Sequence, residues 1–247
     1  MNLTKITKLT KISQSRKGSF KDLYGDLSAH IFEGDLIISS EVTSLEGCPN
    51  EIVGKMTIER ADIKSLIGAP QRVSKSFTCL GIGLESLMGC PSFVGEDFDC
   101  SNNLLKTLEG GPSHVGGVYV CEVNKLNSLK GAPSTLSKAF RCSNNPLKSL
   151  LHGPKSVAGN FYCVNCSLSN LEGIPELIGE DSTLWCLQNN IPMEEIIKAM
   201  AINQEKCGAG FLCNSNYDNS ELYFERDILE KLNWNIDNYF KIKSIRE

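Results

Sequence analysis

Apolar and polar positions along this chain return with a period of 21 residues. Seven prolines mark the period: Pro49, Pro70, Pro91, Pro112, Pro133, Pro154 and Pro175. Counted from each proline, position +3 is apolar throughout (Ile52, Val73, Val94, Val115, Leu136, Val157, Ile178), and position +7 is bulky (Met56, Phe77, Phe98, Tyr119, Phe140, Phe161). Position +9 is Ile58, then Cys79, Cys100, Cys121, Cys142 and Cys163; +14 is Ile63 or leucine, and +17 is leucine from Leu66 to Leu171. Alternation at +7 and +9 is the period of a short strand, so these two side chains turn inward while +6, +8 and +10 meet solvent. A pattern of this length means stacked coils, each of which buries its apolar face only against its neighbours. The strands then pair into one parallel sheet at a spacing of about 4.8 Å, with the phenylalanines and the cysteines in columns.

Asn103, Asn124 and Asn145 at +12 follow the strand, where a side-chain amide can satisfy backbone groups left unpaired by the turning chain. Glycine precedes the proline by two residues at 47, 68, 89, 110, 131 and 173, and only His152 breaks that column. Recurrent Gly and Pro predict a return leg that is extended or polyproline-like rather than helical.

The run Phe140-Arg141-Cys142-Ser143-Asn144-Asn145-Pro146-Leu147 resembles the core signature of leucine-rich repeats, L-x-L-x-x-N/C-x-L. The 21-residue length, with Leu-x-Gly-x-Pro on the return, is similar to the short bacterial type, and the Cys/Gly-rich character is similar to uncharacterised repeat proteins of bacteriophages. The resemblance covers roughly residues 35 to 191. It implies a β-rich solenoid of about eight coils with a parallel concave sheet, an extended convex side and recognition of partners on the concave face.

Both ends depart from the rule. Leu36 and Ile38 read as a first strand one residue out of register, and Leu184-Trp185-Cys186-Leu187-Gln188-Asn189-Asn190-Ile191 fits the signature after a two-residue insertion. Three segments follow: 1–34 as an N-terminal basic segment and cap, 35–191 as the solenoid, and 192–247 as a helical C-terminal cap. The last contains an acidic helix start after Pro192 and an amphipathic stretch after Ser220. Trp234, Ile236, Tyr239 and Phe240 are expected to pack that cap onto the last coil.

Composition changes this picture little. A net charge of −4 gives no argument for nucleic acid, and the basic bias of the first 30 residues reads as a solvated cap or tail. No run is apolar enough for a membrane span or a signal peptide, so a cytoplasmic location is expected, in a host cytoplasm for a phage-encoded chain. Eleven cysteines would ordinarily suggest metal or disulfides, but five fill the +9 column and Cys186 is its shifted sixth. Buried thiols in such positions act as small hydrophobes. Cys163-Val164-Asn165-Cys166 is formally C-x-x-C, yet Cys166 stands in the Asn position of the repeat. Cys207 and Cys213 lack further ligands for zinc. His30, His114 and His152 fall in unrelated repeat positions, and nothing pairs a nucleophile with a base. No enzyme, cofactor or metal site is expected.

Binding is the function class left. The outward columns run Thr57, Thr78, Asp99, Val120, Arg141, Tyr162 and Trp185 at +8, and Glu59, Leu80, Ser101, Glu122, Ser143, Val164 and Leu187 at +10. Val120, Arg141, Tyr162, Val164, Trp185 and Leu187, with Val118 beside them, combine apolar, aromatic and cationic groups typical of interface hot spots. The acidic residues Glu59, Asp99 and Glu122 read as solvated face. The expected partner is another protein; an assembly subunit pairing through the Leu36–Ile38 strand is the alternative. Nucleic acid is disfavoured, since no basic stripe marks these columns.

Overall fold

A computed structural model describes residues 3–12, 17–59, 61–179, 182–192, 195 and 210–212. The chain forms a parallel β-solenoid of about eight turns. Its main sheet takes in Leu36–Ile38, Met56–Ile58, Phe77–Thr78, Phe98–Asp99, Tyr119–Val120, Phe140–Arg141, Phe161–Tyr162, Thr183–Trp185 and Gly210–Leu212, every pair parallel. From Leu36–Ile38 to Thr183–Trp185 these strands fall at the expected +7 to +9 segments; Gly210–Leu212 was not foreseen, because it lies in the segment read as a helical cap. The register also absorbs both irregular coils. Leu36 pairs with Met56, a step of 20 residues, and Tyr162 pairs with Trp185, a step of 23.

The return leg differs from an unpaired extended segment. Positions +2 and +3 pair from coil to coil into a second parallel sheet: Thr4–Ile6, His30–Glu33, Glu51–Val53, Arg72–Val73, Phe93–Val94 and His114–Val115. Thr135–Leu136, Ser156–Val157 and Leu177–Ile178 form a separate three-stranded sheet at the same repeat position. Each such strand contributes one inward side chain, the +3 residue.

Between the sheets lies one continuous core. Phe77, Phe98, Tyr119, Phe140 and Phe161 are fully buried, with successive ring centroids 6.0, 4.8, 5.5 and 5.2 Å apart. Each such ring removed from water contributes roughly 1.5–3 kcal/mol. The +14 and +17 leucines and the cysteine column complete the core. Glycine two residues before the proline is required by the backbone. Gly89 has φ +89°, and a Cβ there would sit 2.6 Å from the backbone of Leu66 and Ile67.

Residues 3–12 and 17–34 close the N-terminal end. Phe20–Tyr24 forms a single-turn helix opened by a capping box, in which the Ser19 hydroxyl accepts from the Asp22 N–H and the Asp22 carboxylate accepts from the Ser19 N–H. Phe20 and Leu23 are fully buried under the first coil. Three basic residues of this region form ion pairs: Lys5 with Glu33 and Lys11 with Glu41 at 2.6 Å, and Lys21 with Asp26 at 3.4 Å. The expected helical cap lies almost wholly outside the described residues, as do Cys207 and Cys213. No helix among the described residues is long and apolar enough to cross a membrane.

Candidate functional face

The asparagines at +12 hold the turn that ends each main-sheet strand. Asn145 donates from Nδ2 to the carbonyls of Cys121 (3.1 Å), Cys142 (2.9 Å) and Ser143 (3.2 Å), and its Oδ1 accepts from the Asn124 and Leu126 N–H groups at 3.1 Å. Asn103, Asn124 and Asn189 repeat the arrangement. All four are buried, so each amide replaces water for backbone groups that would otherwise be unpaired. Cys166 stands in the same position, and its Sγ donates to the Cys142 carbonyl at 3.2 Å.

With the turns fixed, the +8 side chains rise in register from the outer face of the main sheet. Parallel pairing sets Val120, Arg141, Tyr162 and Trp185 one above another. The Arg141 guanidinium donates to both oxygens of Glu122, Nε to Oε1 at 3.1 Å and Nη2 to Oε2 at 3.2 Å. It also lies 5.2 Å from the Tyr162 ring centroid. Tyr162 stacks on Trp185 at 5.9 Å and 14°. Its hydroxyl accepts from Asn160 Nδ2 at 2.9 Å, and Asn160 Oδ1 accepts from the Thr183 N–H at 2.7 Å. The result is a ladder in the order carboxylate, guanidinium, phenol, indole, with every rotor held by its neighbours. Val164 and Leu187 are half-buried in the adjoining +10 column, and Val118 and Val120 are half-buried at the lower end.

The register brings Val120, Arg141, Tyr162 and Trp185 side by side, and beside them stands Glu122, which the sequence reading placed in a solvated acidic face. Glu122 lies 19 residues before Arg141, in the neighbouring coil and the neighbouring column, and the charge pair becomes visible only once the coils are stacked. Asp99 accepts from the Ser101 backbone N–H at 2.9 Å and from its hydroxyl, so it too is engaged locally.

A second ladder, not foreseen from the sequence, stands on the outer face of the second sheet. Glu51 pairs with Arg72 at 3.4 Å, the Arg72 Cζ lies 3.5 Å over the Phe93 ring, and Phe93 stacks on His114 at 4.6 Å and 9°. The order is again acid, arginine, aromatic, aromatic, each one coil further along. Its residues occupy the +2 column, where sequence periodicity carries no signal because the position faces solvent.

The cysteines are structural in their setting. Cys48, Cys79, Cys90, Cys100, Cys121, Cys142, Cys163 and Cys166 are free and buried. Cys186 continues the column but is disulfide-bonded, which departs from the expectation of a uniformly free column. Burial pushes the thiols of Cys79, Cys100, Cys121 and Cys163 up. Thiol donors run from Cys100, Cys121 and Cys142 to the carbonyls of Val120, Arg141 and Tyr162 in the next coil, at 3.4, 3.4 and 3.3 Å. Among the described residues no group of three or more His, Cys, Asp or Glu side chains is placed to hold a metal ion. A hollow lined by Thr43, Ser44, Asp62, Lys64, Ser65 and Ile67 opens on a different face from either ladder. No family model, curated protein or solved structure matches this chain.

Proposed function

We propose that the chain is a non-catalytic binding module that recognises a partner protein on the outer face of its main sheet, around Glu122, Arg141, Tyr162, Val164, Trp185 and Leu187. The observation that carries this reading is the pre-ordered ladder of Arg141, Tyr162 and Trp185, with Tyr162 tied to Asn160 and Arg141 tied to Glu122. Tyr, Trp and Arg are the residues that dominate interface energetics, and side chains already fixed lose little entropy on binding. In the leucine-rich-repeat reading, which the asparagine ladder and 21-residue coil support, this face is the concave one. By the resemblance to phage repeat proteins, the partner is a host or defence protein that the module occupies in the cytoplasm.

Affinity capture from candidate host lysate tests the proposal, using wild type, an Arg141→Ala/Tyr162→Ala/Trp185→Ala variant and an Arg72→Ala/Phe93→Ala variant, all checked for fold by circular dichroism. A partner retained by wild type and the second variant, and lost from the first, supports the main-sheet face. Loss from the second variant alone moves the site to the opposite sheet.

A structural-subunit reading draws on one feature. Leu36–Ile38 is the terminal strand of the main sheet and Ile37 is 62% exposed, so a second copy can extend the ladder there. Concentration-dependent mass by light scattering, abolished by Ile37→Lys, is the result this second reading requires.

A further inference from the structure

One junction between coils is closed on the main sheet and open on the other side. Second-sheet strands pair from Thr4–Ile6 up to His114–Val115, and again from Thr135–Leu136 to Leu177–Ile178, but His114–Val115 and Thr135–Leu136 do not pair. Before the break, the N–H groups of Ser113 and Gly116 donate to the carbonyls of Ser92 and Val94 at 3.0 Å. After it, those of Lys155 and Ala158 donate to the carbonyls of Ser134 and Leu136 at 2.8 Å. The equivalent bonds from Ser134 to Ser113 and from Ser137 to Val115 are not formed. In their place the Ser137 hydroxyl donates to the Gly116 carbonyl at 2.9 Å. Residues 116–118 are drawn instead toward the coil before. The Gly117 N–H donates to the Glu96 carbonyl and the Val118 N–H to Asp97 Oδ1, both at 2.8 Å, and neither Gly116 nor Gly117 has room for a Cβ on that side. The core records the break as well: Ile52, Val73, Val94 and Val157 are 0% exposed in the +3 column, whereas Val115 and Leu136 keep 4% and 3%.

We propose that the junction between coils 112–132 and 133–153 is a hinge, with the main sheet as its axis and the Ser137–Gly116 hydrogen bond as its latch. The axis is intact: Tyr119 and Val120 pair with Phe140 and Arg141, and the N–H groups of Tyr119 and Cys121 donate to the carbonyls of Ala139 and Arg141 at 3.0 and 2.8 Å. Asn145 ties the adjoining turn to Cys121, Asn124 and Leu126. On the second sheet, opening this junction breaks one side-chain hydrogen bond, whereas at either neighbouring junction it breaks a series of backbone bonds as well. Flexure therefore concentrates here, where opening is least opposed, and the coils on each side move as blocks. As the second sheet parts, the outer face of the main sheet curls, which tips Arg141, Tyr162 and Trp185 toward Asp99 and Val120. The motion belongs to the chain alone and needs no partner.

The test is a pair of distance distributions from pulsed electron spin resonance on the full chain. Nitroxides are coupled to p-acetylphenylalanine, which spares the native cysteines. One pair replaces Gln71 and Lys155, exposed residues on either side of the break; the other replaces Thr4 and Ser92, exposed residues that span as many coils without crossing it. Both spans are roughly 19 Å between backbones at a strand spacing of about 4.8 Å. The expected result is a broad distribution with a longer component for Gln71–Lys155 and a narrow one for Thr4–Ser92. Ser137→Ala, at an exposed position, should raise the longer component roughly twofold or more, as loss of one hydrogen bond allows, and leave the Thr4–Ser92 pair unmoved. Equal widths for the two pairs, no response of Gln71–Lys155 to Ser137→Ala, or an equal response of both pairs overturns the proposal.

Discussion

Individual positions show where the repeat works against its own residues. Val123 has φ +54°, at a position where other coils place Asn102, Asn144, Asn165 or Gly81. A β-branched residue in the left-handed region is strained, whereas Gly and Asn tolerate it. Val123→Asn should therefore stabilise the protein by about 1 kcal/mol, read as a higher midpoint in urea with unchanged slope. The column of turn glycines gives the opposite case. Gly89→Ala adds a Cβ against the backbone of Leu66 and Ile67 and should cost roughly 2–3 kcal/mol. His152 is accommodated in that column because its φ is +64°, inside the left-handed basin, while the glycines range from +83° to +96°. A third site is Tyr119, whose hydroxyl is buried without a hydrogen-bond partner. Since an unsatisfied polar atom carries its full desolvation penalty, Tyr119→Phe should raise stability by roughly 1 kcal/mol in the same measurement.

At the level of the coil, the sequence was legible wherever a side chain points inward. The +7, +9, +14 and +17 columns are buried as the period required, and even the 20-residue and 23-residue steps were readable, because a hydrophobic pattern fixes register. The second sheet was not readable as a sheet. Its strands are two residues long in most coils and turn one side chain inward, so +3 recurs without the alternation that identifies a strand. The same reason hid Arg72, Phe93 and His114, which face solvent, and the Glu122–Arg141 pair, which spans two columns. The turn element makes a firm prediction. Asn145→Ala removes hydrogen bonds to three carbonyls and two N–H groups in a buried turn, and it should lower stability by several kcal/mol, on the order of 3. Asn170→Ala, outside the column and bonded only to the Glu172 N–H, should change it by less than about 1 kcal/mol. Comparable losses from the two changes would remove the amide ladder from the account of how coils are joined.

Across the whole molecule, two ladders of like composition stand on opposite sheets, and one core runs between them. The N-terminal cap gives the stack a sealed end, with Phe20 and Leu23 closing the core and ion pairs from Lys5 and Lys11 to Glu33 and Glu41 tying the cap to the first coil. Cooperativity then passes from coil to coil through neighbour contacts, as in other quasi-one-dimensional proteins. Among the described residues, the backbone hydrogen bonds of the coils run either to the coil before or after or within a single turn of the same coil, so the coils are joined chiefly by the stack itself. A chain built in this way is a spool. Pulled from its two ends in an optical trap, it should pay out in steps of one coil, each releasing roughly 70–75 Å of extended chain for 21 residues, instead of rupturing in a single event.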